Sequence, residues 1–308
     1  MVKIDPTYDV ILTYSPISEI TGHVFECFDY WLFLRNYFKV GILFLEGLSI
    51  EKLETAFNSK YDFDFKEVKK DIIQLDHAVL ESERIYQFGS KTFVLLCDGN
   101  IRSLAHRRIM LATRKLYGFL CGEYGFEEIK SNNHITYLQD FRIYGKNKFF
   151  KCYDYVKKLP FKYYKKVSRL KQVPPVGMMY VTYACRKVTP EVIKQYHEMS
   201  GCCKSLLVVP YKLKEYENID DVEQVLAPVP DFFEKFDTYI YTPVERHFDC
   251  SPRLVTECLF YKKDVLLNIN YVDDGLQTRW KDATEDISKL ELKENDPIID
   301  IIKQELAK

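Results

Sequence analysis

Short apolar runs separated by helical stretches constrain this chain more than any other feature. Tyr8 to Tyr14 (YDVILTY) and Val40 to Leu45 (VGILFL) have the length and composition of strands, and a loop and a helical stretch from Val24 to Phe38 lie between them. That spacing predicts a βαβ unit, because parallel neighbours need a crossover connection. The loop, SPISEITGH, places Gly22 just before the helix, whose free N–H groups suit an anion or a sugar. A third run, Thr92 to Cys97, ends at Asp98-Gly99, a turn signal that leaves the aspartate at the carboxyl end of a strand. Open α/β sheets bind ligands at that end. Residues 101 to 120 (IRSLAHRRIMLATRKLYGFL) then predict a basic amphipathic helix.

Pro174-Pro175 breaks the pattern, since consecutive prolines stop helices and favour an extended link. A second alternating series follows. It comprises a strand from Met178 to Ala184, a helix from Pro190 to Met199, a strand from Ser205 to Val209 and a turn-rich acidic connection. Then come a strand from Thr238 to Tyr241, a helix from Pro252 to Phe260 and a strand from Val265 to Ile269. With 308 residues, 47% of them hydrophobic, the chain can fill two cores. The expectation is an α/β protein of two Rossmann-like domains with parallel sheets, residues 1–173 and 174–308. The tail from Pro297 to Leu306 has apolar residues at helical spacing and is expected to pack back on the first domain.

Composition narrows the classes. No run of 18 apolar residues appears, and the N-terminus MVKIDPTYDV lacks the succession of a signal peptide, so a soluble, cytoplasmic monomer is expected. Nine scattered cysteines without CxxC suit a reducing compartment, and no His pair has metal-ligand spacing. A metal site made by protein side chains alone is not expected. The net charge of −1 hides an uneven distribution. Residues 101 to 171 carry 17 basic and 5 acidic side chains, whereas both flanking segments are acidic. Phe141 to Gln172 alone holds 11 basic residues, one acid and 9 aromatics. Its lysines 146, 148, 151, 157, 158, 162, 165 and 166 (Lys146, Lys148, Lys151, Lys157, Lys158, Lys162, Lys165, Lys166) could track a phosphate backbone while aromatic rings take unstacked bases. A nucleic acid is the partner that this charge suggests. Anionic lipid would attract the same tract, and a solvated face with core aromatics is the structural alternative.

The stretch from Thr238 to Tyr271 carries the chemistry. Its strand enters a polar loop, Ser251-Pro252 opens a helix, and Lys262 to Asp264 lead into the next strand. Ser251 is placed to cap the helix and Pro252 to be its first residue. Arg253 in the first turn adds a guanidinium to the free N–H groups, a combination that attracts a diphosphate. Glu257, four residues on, shares its face and could accept hydrogen bonds from both hydroxyls of a ribose. An ordinary intrahelical ion pair explains the same spacing.

The whole stretch resembles the donor-site motif of GT-B glycosyltransferases, in which an acidic residue and a Glu with seven residues between them precede a short apolar strand and the Glu binds the nucleotide ribose. Asp249 and Glu257 have that separation, and DVLLNI follows. Asp replaces the Glu usual in retaining families, and Cys-Ser-Pro-Arg replaces a glycine-rich turn. The resemblance implies a GT-B fold with an interdomain cleft and a UDP-sugar as co-substrate, with no permanently bound cofactor and a divalent cation possible. It also implies a role for Arg186 and Lys187, which hold the diphosphate, while His247, three residues after Val244 in the donor loop, is placed to touch the sugar.

Glycosyl transfer needs a base for the acceptor hydroxyl and cations for the departing diphosphate. Asp98 is the candidate base, with His23 and Glu19 as acceptor-side or sugar contacts. A compact enzyme of this kind with a basic acceptor side resembles the DNA glycosyltransferases of T-even-type phages. That resemblance implies duplex DNA as the partner and transfer of a glucosyl or arabinosyl unit to its 5-hydroxymethylcytosine, with the base extruded. The alternatives are a GT-B enzyme acting on a lipid or surface polysaccharide at a membrane, and a non-catalytic nucleic-acid-binding protein.

Overall fold

Among the described residues every pairing between strands is parallel, so each strand is joined to its neighbour by a crossover and both sheet faces need cover. The computed structural model describes residues 7–14, 20–44, 48–74, 91–97, 115–119, 136–139, 152–155, 158–167, 172, 174–180, 189–209, 211–227, 229, 231–241, 253–267 and 286–308. The chain divides into two units. One comprises residues 1–58, 62–164 and 290–308, and the other 59–61 and 165–289.

The first unit contains β1 (Val10–Tyr14), α1 (Gly22–Leu34), β2 (Val40–Phe44), α2 (Ile50–Lys60, whose last two residues group with the other unit), α3 (Phe65–Lys69) and β3 (Ile72–Gln74). It continues with β4 (Phe93–Leu96), β5 (Leu116–Gly118), β6 (Thr136–Gln139) and β7 (Cys152–Tyr155). Its seven-stranded sheet has the order β3-β2-β1-β4-β5-β6-β7. Chain direction across the sheet reverses between β1 and β4, and their carboxyl ends form the switch-point crevice of such folds. Strands β1, β2 and β4 are buried throughout, as continuous apolar runs covered on both faces must be. Close packing explains Gly41: a Cβ there would lie 2.9 Å from Ile11 Cδ1 on the paired strand. Helix α1 is buried from Cys27 to Leu34, and Phe28 meets Phe57 of α2 edge to face at 5.1 Å. Burying each large side chain of this kind contributes about 1.5–3 kcal/mol. The helix ends at Leu34, and Asn36 Nδ2 donates to the carbonyls of Leu32 and Phe33 in its last turn.

One expectation is corrected. Residues 116–118, read as the end of a basic helix, form β5, and residues 101–114 lie outside the described residues. The aromatic run LYGF wins strand pairing because Tyr117 stacks on Phe93 of β4 at 4.4 Å, a tertiary contact invisible to helical periodicity. The basic tract contributes β7 to the same sheet.

The second unit contains β8 (Val176–Tyr180), α4 (Pro190–Ser200), β9 (Lys204–Val209), β10 (Val222–Leu226), β11 (Thr238–Tyr241), α5 (Arg253–Phe260) and β12 (Asp264–Leu267). The sheet order is β10-β9-β8-β11-β12, so its switch point lies between β8 and β11. Strand β10 falls in the connection read only as turn-rich. Met178, Val208, Phe233, Phe236, Tyr239, Val255 and Cys258 form one core of this unit. Two parallel α/β units are thus present, in keeping with the expected Rossmann-like architecture. Asp237 joins the proline link to this sheet. Its Oδ1 accepts from the Gln172 N–H at 2.9 Å and its Oδ2 from the Val176 N–H at 3.0 Å, the donors on either side of Pro174-Pro175.

The last helix, α6 (Pro297–Ala307), belongs to the first unit, where it packs against β4. Asp296 caps it, with Oδ1 accepting from the Ile298 N–H at 3.1 Å, and Pro297 takes the first turn, where no N–H is needed. The other carboxylate oxygen, Oδ2, accepts from Lys158 Nζ at 2.8 Å. Asp296→Ala should therefore lower the unfolding free energy by about 2 kcal/mol, read from urea denaturation. Asp296→Asn should recover part of that loss, because Asn still caps. Two variants of wild-type stability would refute the capping role.

Candidate functional site

The second unit places Arg253 in the first turn of α5 and Glu257 one turn later, on the helix that follows β11 at the switch point. They make the i, i+4 pair that spacing allows: Arg253 Nε donates to Glu257 Oε1 at 2.6 Å. Two partners were not foreseen. Lys60 Nζ donates to both Glu257 oxygens, at 2.7 and 2.9 Å, and Arg253 Nη2 donates to the Tyr61 hydroxyl at 3.2 Å. Lys60 and Tyr61 group with this unit. Only 1% of the Glu257 side chain and 8% of that of Arg253 are exposed, so the cluster is largely desolvated. Two cations around one anion leave it with a net positive charge. Nothing in the sequence marked Lys60, since a lysine in the last turn of a helix reads as a complement to the helix dipole.

Burial pushes the Glu257 carboxyl up, but the charges of Arg253 and Lys60 and their hydrogen bonds outweigh it and hold the group below the ordinary carboxylate value. The neighbouring Cys258 thiol is raised well above its usual range by burial and by the Glu257 charge, which keeps it protonated and unreactive. Donor-side candidates Arg186, Lys187, His247 and Asp249 lie outside the described residues.

In the first unit, His23 opens α1 after β1 and faces the end of β4. Its Nδ1 lies 3.2 Å from the Cys97 carbonyl oxygen, which can only accept, so Nδ1 carries the proton. The neutral ring then has its lone pair on Nε2. Glu26 Oε2 is 3.9 Å from Nδ1, and the Tyr14 ring at the end of β1 lies 6.2 Å from the imidazole. Glu26 and Asp29 are buried on this otherwise apolar helix, and Asp29 accepts from the Tyr164 hydroxyl at 3.1 Å. Two acids in the string HVFECFDYWLFL were the signal for such buried polar positions. Asp98, next after Cys97, and Glu19 lie outside the described residues.

The basic tract divides. Lys158 is held by Asp296, whereas Lys162 and Lys166 are exposed and Lys165 is half-buried. Phe161 and Tyr164 are buried, and Tyr163 packs edge-on against Phe63 at 5.9 Å, so these rings serve the core. Lys146, Lys148, Lys151 and Lys157 fall outside the described residues. Among the described residues, no three His, Cys, Asp or Glu side chains are grouped to hold a metal ion. No described helix is long and apolar enough to cross a membrane.

No protein-family model matches the chain, and no curated protein matches it. Solved structures with a similar layout include HepE (Alr3699) of Anabaena in complex with UDP-glucose, at 10% identity over 97% of this chain and 98% of that one, with a TM-score of 0.47. The apo lipopolysaccharide outer core galactosyltransferase WaaB has 9% identity over 97% and 94%, with a TM-score of 0.43. The glycosyltransferase SnogD of Streptomyces nogalater has 9% identity over the same shares, with a TM-score of 0.39. At these scores none of them assigns an activity to this chain.

The Glu257 cluster has a measurable signature. A carboxyl whose folded pKa is depressed stabilises the protein above its unfolded pKa and loses that contribution as pH falls through the folded value. Glu257→Gln should cost about 3 kcal/mol at pH 7, with the gap to wild type narrowing below about pH 5. Urea unfolding at both pH values reads it. A gap independent of pH would show that the carboxylate charge contributes nothing.

Proposed function

We propose that this chain is a glycosyltransferase of the GT-B type that takes its sugar from a UDP-sugar and delivers it to a hydroxymethylated base in DNA. The observation that carries the transferase reading is the Arg253–Glu257 pair on the helix after β11, at the switch point of a parallel sheet. It combines the carboxylate spacing of a nucleotide-sugar motif with a guanidinium in the first turn of the helix, suited to a diphosphate. Asp249 joins the proposed donor site through that motif, Arg186 and Lys187 through their place after the first strand of the unit, and His247 through its place in the loop before the helix.

In the proposed reaction the acceptor hydroxyl oxygen attacks the anomeric carbon, the bond from that carbon to the diphosphate oxygen breaks, and UDP leaves with the bonding electrons. The hydroxyl proton passes to a base, for which Asp98 is proposed. Support comes from its neighbour: the Cys97 carbonyl orients His23 at the carboxyl end of β4, the end where α/β sheets bind ligands. His23 and Glu19 serve the acceptor or the sugar.

The DNA acceptor rests on the charge excess of residues 101 to 171 and on the exposed Lys162 and Lys166. The test is incubation of the protein with hydroxymethylated and unmodified DNA and a panel of UDP-sugars, followed by mass analysis of the nucleosides. A mass increase of one sugar confined to hydroxymethylated DNA is expected. Hydrolysis or transfer without DNA modification would remove the DNA acceptor, and failure of every UDP-sugar to raise the melting temperature would remove the transferase. Asp98→Asn should lower transfer at least about 100-fold while UDP still stabilises the protein. Full activity in that variant would end the base assignment.

A further inference from the structure

The Glu257 carboxylate is already occupied. An ionised carboxylate offers about four lone-pair positions, and at least three are taken here, one by Arg253 Nε and two by Lys60 Nζ. Accepting both hydroxyls of a ribose requires two positions, so at least one present bond must be given up. The two cations are not equally able to leave. Arg253 sits on the same helix as Glu257 and is anchored again by the Tyr61 hydroxyl. Lys60 reaches the carboxylate on a flexible four-carbon stem, and its side chain is the more exposed, at 12% against 8%. It also lines a hollow with Ser59, Lys165, Lys166, Asp231 and Glu234, where two acidic residues offer the ammonium a destination.

We infer that Lys60 is a further residue of the nucleotide site, a stand-in cation that holds Glu257 until the ribose hydroxyls of a nucleoside diphosphate replace it. The inference rests on the donor-site reading above and goes beyond it in making Lys60 a competitor of the ribose. While Lys60 holds both oxygens, Glu257 is closed to solvent and to sugar. Exchange opens it, and the affinity for nucleotide is reduced by the fraction of molecules in which Lys60 is still bound. A lysine suits this role better than an arginine, because it is a compact point charge without a planar fork to lock both oxygens.

Calorimetric titration of UDP, and of its 2′,3′-dideoxyribose counterpart, into wild type, Lys60→Met and Lys60→Gln tests the exchange. Both variants should bind UDP about tenfold more tightly than wild type, with no gain for the dideoxy compound. Lys60→Gln keeps a neutral hydrogen-bond donor beside Glu257, so it provides the measurement should Lys60→Met fail to fold. Unchanged or weaker UDP binding in the variants, or equal gains for both compounds, would overturn the exchange while leaving the donor site standing. If no form binds UDP at all, the donor-site reading falls and the exchange falls with it. Binding by the variants alone would support both.

Discussion

A parallel strand cannot be closed by a hairpin, and that constraint shapes both units. Each strand must be followed by a crossover, each crossover covers a sheet face, and the strands between become apolar on both sides. Strands β1, β2 and β4 meet this demand with only two hydroxyl-bearing side chains, Thr13 and Tyr14, and the Thr13 hydroxyl donates to the Leu43 carbonyl at 2.9 Å. Gly41 follows from the same crowding, since it faces Ile11 across the pair. Because all strands of a sheet point one way, their carboxyl ends share one edge of that sheet, and the helix after β1 in the first unit, like the helix after β11 in the second, starts from the edge of its own sheet.

Those helices hold four of the buried charged side chains among the described residues. Glu26 and Asp29 are buried on α1, and Arg253 and Glu257 on α5. Removing an ion from water costs several kcal/mol even after relaxation, and well-packed apolar residues often do as well or better for stability. Fold stability alone therefore does not account for these charges. Local partners make their burial tolerable: Glu257 has two cations, and Asp29 a hydrogen bond from a tyrosine hydroxyl.

The strands of the first βαβ unit, the second alternating series and the terminal helix were legible, because each is a local apolar run with helical or strand-like spacing and clear punctuation. Strands β3, β5, β6, β7 and β10 were not. They are three to five residues long and hold their place through neighbours, as Tyr117 does by stacking on Phe93. The Arg253–Glu257 pair was legible for the opposite reason, since four residues on a helix fix a shared face. Lys60 was beyond reach, because a contact between positions 60 and 257 leaves no local trace. The tract from 141 to 172 showed its charge but not its division between exposed lysines and rings committed to the core.

Asp237 acts as an anchor. One carboxylate receives the N–H groups on both sides of Pro174-Pro175, and the Asp237 N–H donates to the Val176 carbonyl at 2.8 Å. The strands that begin there, β8 and β11, pair through Thr238 with Gly177 and Tyr239 with Met178 at their amino ends. Their opposite ends flank the second unit's switch point. One side chain thus ties the proline link and the amino ends of both strands together at the edge opposite the ligand-facing one. The two strands that border the switch point begin from a single carboxylate, which makes Asp237 the common anchor of both walls of that crevice.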